Sequence, residues 1–208
     1  MAQVVLMETV STIKPQKDKE GHIYFEGMFG LAGKRNLNGR IYPKTVMEKS
    51  IKDYNDNFIS KRRGMGELDH PEDASVNLKN VAFVIEDPLE LKENGEVYGR
   101  ARILENLPMG KIAADLIREE ITIGLSSRGL GEITEKKELD EETGKEVDVM
   151  EVSDFTIASF DLVSEPSIGH FVSHSIPKKE TVEKPKEKKL EESLNIDDLL
   201  RINDLLFE

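Results

Sequence analysis

The chain has 208 residues, enough for one domain with a substantial core plus a tail. Apolar residues make up 38% and charged residues 34%, the formal net charge is −12, and there is no cysteine. Disulfides, thiolate catalysis and cysteine-based zinc sites are therefore excluded, and no run approaches the ~20 apolar residues that a membrane span needs.

The acidic balance also argues against a duplex DNA binder, whose affinity depends on a basic face. Only Lys61-Arg62-Arg63 forms a basic run, and it reads as a solvated helix end where cations complement the helix dipole. The opening stretch MAQVVLMETVSTIK lacks a basic leader, so no secretory signal is read there.

In chain order, residues 1–13 read as a strand or arm in which Val4, Val5, Leu6, Val10 and Ile13 are apolar. Residues 22–30 alternate more clearly and put Ile23, Phe25 and Phe29 on one face. LAGKRNLNGR follows as a Gly/Asn-rich loop. Pro43 suits a first helical position, and Val46, Met47, Ile51, Tyr54 and Phe58 make an apolar stripe to about Ser60, with Gly64 as the stop. Residues 64–79, containing GMGELDHPEDASVN, read as loop or strand end. VAFVIEDPLEL and EVYGRARIL read as two strands joined by an Asn-Gly turn at Glu93-Asn94-Gly95. A second helix follows Pro108, with Ile112, Ala113, Leu116 and Ile117 assigned to its buried side. ITIGLSSRG returns to strand, KKELDEETGKEVDV is a charged hairpin tip, and DVMEVSDFTIASFDLV supplies a long strand or two short ones. Many strands with two helices between them define an α+β class, mainly β.

Residues 177–192 carry six Lys, five Glu and two Pro, a composition that cannot bury a core and reads as a flexible linker. Residues 193–208 then read as a short amphipathic helix, capped by Ser193 or Asn195. The predicted organisation is a domain over 1–176, a linker over 177–192 and a terminal helix over 193–208.

Two segments could carry chemistry. His70 sits in GMGELDHPED, where glycines and Pro71 shape a tight backbone beside a strand end. Ser126 sits in ITIGLSSRGLG, where small residues leave room for an acyl group and for backbone oxyanion donors, although a plain Gly/Ser turn explains the composition equally well. As a strand, this segment puts Ser126 and Arg128 on one face and Ser127 on the other. A metal site on His70 with Glu67, Asp69, Glu72 and Asp73 is the competing chemistry, but no His-Glu-x-x-His spacing supports it and no metal is assigned.

At these segments the chain resembles the prohead core proteases of T4-type tailed phages. YFEGMF, RNLNGRIYPKTVMEKSIKDY, GELDHP, VYGRARI and GLSSRGLG occur in the family's order, covering residues 20–132 closely and the rest more loosely. The resemblance implies a herpesvirus-protease-like β-barrel with flanking helices. It implies a serine endopeptidase in which His70 is the base and Ser126 the nucleophile, with Ser127, Arg128 and Gly129 supporting the oxyanion. SDFTIASFDLVSEPS resembles the family's late strand and offers Asp161 as the third member, on one face with Ser159. Asp154 and Glu151 rank below it, His170 would serve in a Ser-His-His arrangement, and Asp69 points the other way on a strand.

The resemblance further implies cleavage after Glu in Leu/Ile-x-Glu sequences of prohead scaffold and major capsid proteins, in the host cytoplasm inside the assembling prohead. Self-cleavage is then expected after Glu192 of Leu190-Glu191-Glu192 or after Glu8 of Leu6-Met7-Glu8, both expected to be accessible. No cofactor, nucleic acid or membrane is implied, and a homo-oligomer is compatible with the reading. The alternative from another class is a non-catalytic prohead scaffold or core component, suited by the tether-like linker and terminal helix.

Overall fold

The computed structural model describes residues 3–36, 38–71, 74–139 and 144–164. The expectations placed on 177–192 and 193–208, and those on Glu72, Asp73, His170 and Glu192, lie outside the described residues. Among the described residues the chain forms β1 (Val4–Thr12), β2 (Pro15–Lys17), β3 (Ile23–Leu31), β4 (Arg40–Ile41), α1 (Lys44–Tyr54), β5 (Met65–Leu68), β6 (Val81–Ile85), β7 (Glu90–Leu91), β8 (Glu96–Ile103), α2 (Pro108–Arg118), β9 (Gly124–Leu139) and β10 (Glu146–Val163).

The strands build one sheet in the order β1-β9-β10-β5-β6-β8-β3-β2, with β4 added to β10 and β7 to β8. Neighbours pair antiparallel except β10 with β4 and with β5. The expected barrel is not closed by backbone pairing: the path ends at β1 and β2. Where β1 meets β3, the Ser11 hydroxyl donates to the Met28 carbonyl at 2.8 Å. Both facing strands carry a register shift, between Thr9 and Ser11 and between Met28 and Gly30. A bulge twists an edge away from its neighbour and interrupts a ladder, which leaves the gap open.

The aromatic part of the core lies on one face of this sheet. Phe29 from β3 meets Phe25 at 5.9 Å and Phe160 of β10 at 5.2 Å, and Phe160 meets Tyr54 of α1 at 5.6 Å. The helical stripe of α1 therefore docks as its spacing predicted, through Met47, Ile51 and Tyr54. Pro43 stands at the cap rather than inside the helix, and a π-helical turn over Asn55–Ile59 continues it. Arg62, in the exposed basic run, closes the segment at φ 56°.

In α2 the buried residues are Gly110, Ala113 and Ala114, whereas Ile112 is 46% exposed. This reverses the expected side for Ile112. A β-carbon on Gly110 would lie 2.0 Å from the Leu104 carbonyl oxygen and 2.9 Å from that of Ala82. The helix approaches the backbone that closely only through a small-residue stripe; Ile112 is turned outward, while Leu116 and Ile117 pack at the core's margin as expected.

One irregularity in β10 decides where the site forms. Phe155 and Ile157 face the core, and so do Phe160 and Leu162. Strict alternation from Ile157 would send 159 and 161 inward as well. The register shift between Ile157 and Ser159 inserts one extra residue, which restores Phe160 and Leu162 to the core and turns Ser159 and Asp161 to the opposite face.

Candidate active site

On that opposite face, three neighbouring strands bring polar residues into one row. Asp161 of β10 is the register partner of Ser126 on β9 and of Glu67 on β5. Leu125 and Leu162, one position away, pair on the core side, so Ser126 and Asp161 face away from it.

His70 enters the row from the end of β5. The strand stops at Asp69, whose φ of 68° is a left-handed turn that Asp tolerates better than most residues. The Asp69 amide donates to the Leu162 carbonyl at 2.7 Å, and the Asp69 carboxylate accepts the His70 amide at 2.8 Å. This turn swings the imidazole over Asp161. His70 Nδ1 lies 2.8 Å from Asp161 Oδ2, and Nε2 lies 2.8 Å from Ser126 Oγ. A carboxylate can only accept, so Nδ1 carries the proton and Nε2 offers its lone pair to the Ser126 hydroxyl. Ser126 and Asp161 are fully buried and the His70 side chain is 22% exposed. The three residues singled out from the sequence thus stand in one hydrogen-bonded line. The lower-ranked carboxylates are elsewhere: Asp154 pairs with Lys49 and Glu151 with Lys136.

Arg128 shares the Ser126 face, as alternation predicted, but its guanidinium is committed to carboxylates. Nε donates to Asp161 Oδ2 at 2.9 Å, and Nη2 donates to Asp161 Oδ1 at 3.2 Å and to Glu67 Oε1 at 2.9 Å. Nη1 donates to the Ser75 carbonyl at 3.3 Å. Arg128 and Glu67 are both completely buried. Ser159 Oγ lies 3.2 Å from Asp161 Oδ1, so both oxygens of Asp161 are held from two sides.

The oxyanion role expected of Ser127, Arg128 and Gly129 meets a physical obstacle. All three lie in a strand paired with β1 on one side and β10 on the other. A strand paired on both edges spends its amides in the ladders. Ser127 instead points to the core side, where it lines a small cavity with Glu8, Tyr42 and Phe155. Gly129 has a packing reason: a β-carbon there would lie 2.4 Å from the Phe155 ring and 2.5 Å from the Thr156 carbonyl oxygen.

Glu8 corrects the accessibility expected of Leu6-Met7-Glu8. It is buried in β1 opposite Ser127. Its carboxylate accepts from Arg40 Nη1 at 2.7 Å, from the Tyr42 hydroxyl at 2.7 Å and from Asn38 Nδ2. Burial, with the adjacent Glu8 charge, pushes the Tyr42 phenol far above its usual range, so it remains a donor. The bond after Glu8 cannot enter a protease site unless β1 leaves the sheet. Asn38, Arg40 and Tyr42 thereby fasten the loop before α1 onto β1.

Sequence reasoning missed Glu67 as part of this row and grouped it with metal ligands. The available signal was its place three residues before His70 inside a strand. Its partners became visible only with the register of β5, β10 and β9.

A buried carboxylate, an imidazole and a hydroxyl in one line on a mainly antiparallel sheet form the arrangement on which serine hydrolases are built. Comparison with known proteins narrows this class. The chain belongs to the prohead core protein serine protease family, whose model it matches over residues 2–183. It is 43% identical over 118 residues to the prohead core protein protease of Enterobacteria phage T4, a match covering 56% of this chain and 54% of that protein. The aligned stretch thus spans about half the length of that curated relative. Among solved structures it resembles the bacteriophage T4 capsid assembly protease, with a TM-score of 0.64 and 33% identity, over 78% of this chain and 99% of that one.

Proposed function

We propose that the chain is a serine endopeptidase of phage capsid assembly in which Ser126 is the nucleophile, His70 the general base and Asp161 the residue that orients His70. The observation that carries this reading is the pair of 2.8 Å contacts made by the two nitrogens of one imidazole. As Ser126 Oγ attacks the scissile carbonyl carbon, its proton passes to His70 Nε2. Asp161 stabilises the imidazolium through the Nδ1 proton. The tetrahedral oxyanion draws its donors from outside β9. Collapse breaks the C–N bond, His70 returns the proton to the leaving amine, and an acyl-enzyme remains on Ser126. Water, giving its proton to the same nitrogen, attacks the acyl carbon; collapse breaks the bond to Ser126 Oγ, His70 returns the proton to that oxygen, and the acid leaves.

Family membership supports prohead scaffold and major capsid proteins as substrates, cut after Glu in Leu/Ile-x-Glu sequences inside the assembling prohead. With Glu8 locked in β1, self-cleavage is assigned to the bond after Glu192. This fits a protease domain over 1–176 followed by the linker 177–192 and a terminal helix over 193–208. The herpesvirus-protease-like barrel belongs to the same reading, as a sheet whose β1 and β3 edges approach without pairing; the Ser11–Met28 bond supports it. Among the described residues, no helix is long and apolar enough to cross a membrane.

The test is fluorophosphonate labelling of the full chain, with intact-mass analysis over time. The wild type is expected to take one label and to lose residues 193–208. Ser126→Ala and His70→Ala should do neither. Equal behaviour of the wild type and Ser126→Ala would refute the assignment.

A further inference from the structure

Resting on the proposed reading of Ser126, His70 and Asp161, we infer that Glu67 is a positioning residue for this site, acting on His70 through Arg128 and Asp161. Glu67 and Asp161 are register partners on the parallel strands β5 and β10, and both are completely buried. Two carboxylates so placed repel each other and lose their hydration. Arg128 lies between them and bonds to both. The Glu67 Oε1 that accepts Arg128 Nη2 also accepts the Asn77 amide at 2.9 Å, which ties the chain beyond His70 to the same carboxylate. Glu67 Oε2 is buried with no hydrogen-bond partner among the described residues. A carboxylate bonded through only one of its oxygens is a poor stabiliser of a fold, and an apolar replacement of such buried ionic groups is often neutral or favourable.

The arrangement has a clearer rationale in the chemistry. Paired with Asp161 alone, Arg128 would neutralise the carboxylate that must stabilise the imidazolium. Glu67 takes up that positive charge from the far side, so Glu67, Arg128 and Asp161 together carry a single net negative charge. It also fixes Nη2, and with it the plane in which Nε and Nη2 grip the two oxygens of Asp161. Among the described residues, the groups facing the imidazole are Asp161 from β10, Arg128 behind it from β9, and Asp69, bonded to the His70 amide. Glu67 from β5 and the Tyr54 phenol of α1, which senses both Asp161 and Arg128, stand one step further away.

The experiment reads the second-order rate of fluorophosphonate labelling against pH in the full chain, for the wild type, Glu67→Gln, Asp161→Asn and the double variant. Glu67→Gln keeps the shape and an acceptor oxygen but removes the charge. It is expected to lower the plateau rate by about ten- to a hundredfold, the scale on which residues that orient metal-ligating side chains act, and to move the acid limb to lower pH. In the Asp161→Asn background the same change is expected to cost less than about twofold, because the route through Asp161 is already cut. A wild-type plateau with an unmoved acid limb, or losses that multiply in the double variant, would overturn the inference while leaving the function intact. Absence of label on the wild type would overturn the reading beneath it and the inference together. Should Glu67→Gln not fold, Glu67→Asp takes its place: it shortens the reach and keeps the charge, so the plateau should fall with the acid limb unmoved, and an unchanged plateau overturns the proposal.

Discussion

Replacing Arg128 by Met tests the buried charge row as a structural unit. The substitution removes three charge-assisted bonds, from Nε and Nη2 to Asp161 and from Nη2 to Glu67. At about 1.5–3 kcal/mol each, these sum to roughly 5–9 kcal/mol as an upper bound. Met fills much of the side-chain volume and ends the desolvation of the guanidinium, which offsets part of that. Two buried carboxylates remain without their cation, a state that costs about 3–5 kcal/mol when a buried pair is broken. For a domain of this size each kcal/mol lowers Tm by about 2–4 °C, so a fall of roughly 6–20 °C is expected. Thermal and urea unfolding followed by circular dichroism measure it. Adding Glu67→Gln and Asp161→Asn to Arg128→Met removes the stranded charges and should restore more than half of the loss. A single variant within about 1 kcal/mol of wild type, or a triple variant no better than the single, would refute the view that Arg128 is held in place by two carboxylates.

Asp161→Asn frees the imidazole to adopt the other tautomer and should lower the labelling rate by about 10⁴, the scale of the same change in a Ser-His-Asp triad; a loss below tenfold argues against its orienting role. Gly129→Ala forces a β-carbon against the Phe155 ring and the Thr156 carbonyl. A loss of about 2–3 kcal/mol in urea is expected, and unchanged stability would contradict the tight β9–β10 packing. Tyr42 and Tyr54 are both shifted upward by burial. Their stabilisation is fully present below the unfolded phenol value near pH 10 and is lost as pH rises beyond it. Wild type should therefore unfold progressively in alkali, and Tyr42→Phe should flatten that slope while weakening the protein near neutrality; equal slopes would contradict the assignment.

The sequence carried the strands, both helices and the shared face of Ser126 and Arg128, because these depend on local periodicity. It could not carry the partners of Arg128. Whether that cation meets an oxyanion or a carboxylate depends on which residue of β10 lies opposite, and Ala158, between the shifted residues, has no local mark of a bulge. Apolar size points Ile112 inward, whereas the close approach of α2 selects Gly110, Ala113 and Ala114. A three-residue motif at Glu8 says nothing about the ladder with β9 or the Arg40, Tyr42 and Asn38 side chains that hold it. Sheet closure likewise rests on irregularities in β1 and β3 that act between distant segments.

The strand order also sets when the site can come into being. β10 lies between β9, which carries Ser126, and β5, which leads into His70. His70 is 56 residues from Ser126 in sequence and 91 from Asp161. Contacts that distant form slowly, and until β10 inserts, β9 and β5 have no strand between them to pair with. A chain still emerging from the ribosome, with residues before about 160 exposed, therefore holds a serine and a histidine but no shared site. The arrangement comes into existence with the insertion of one strand, so the birth of any activity is timed by folding.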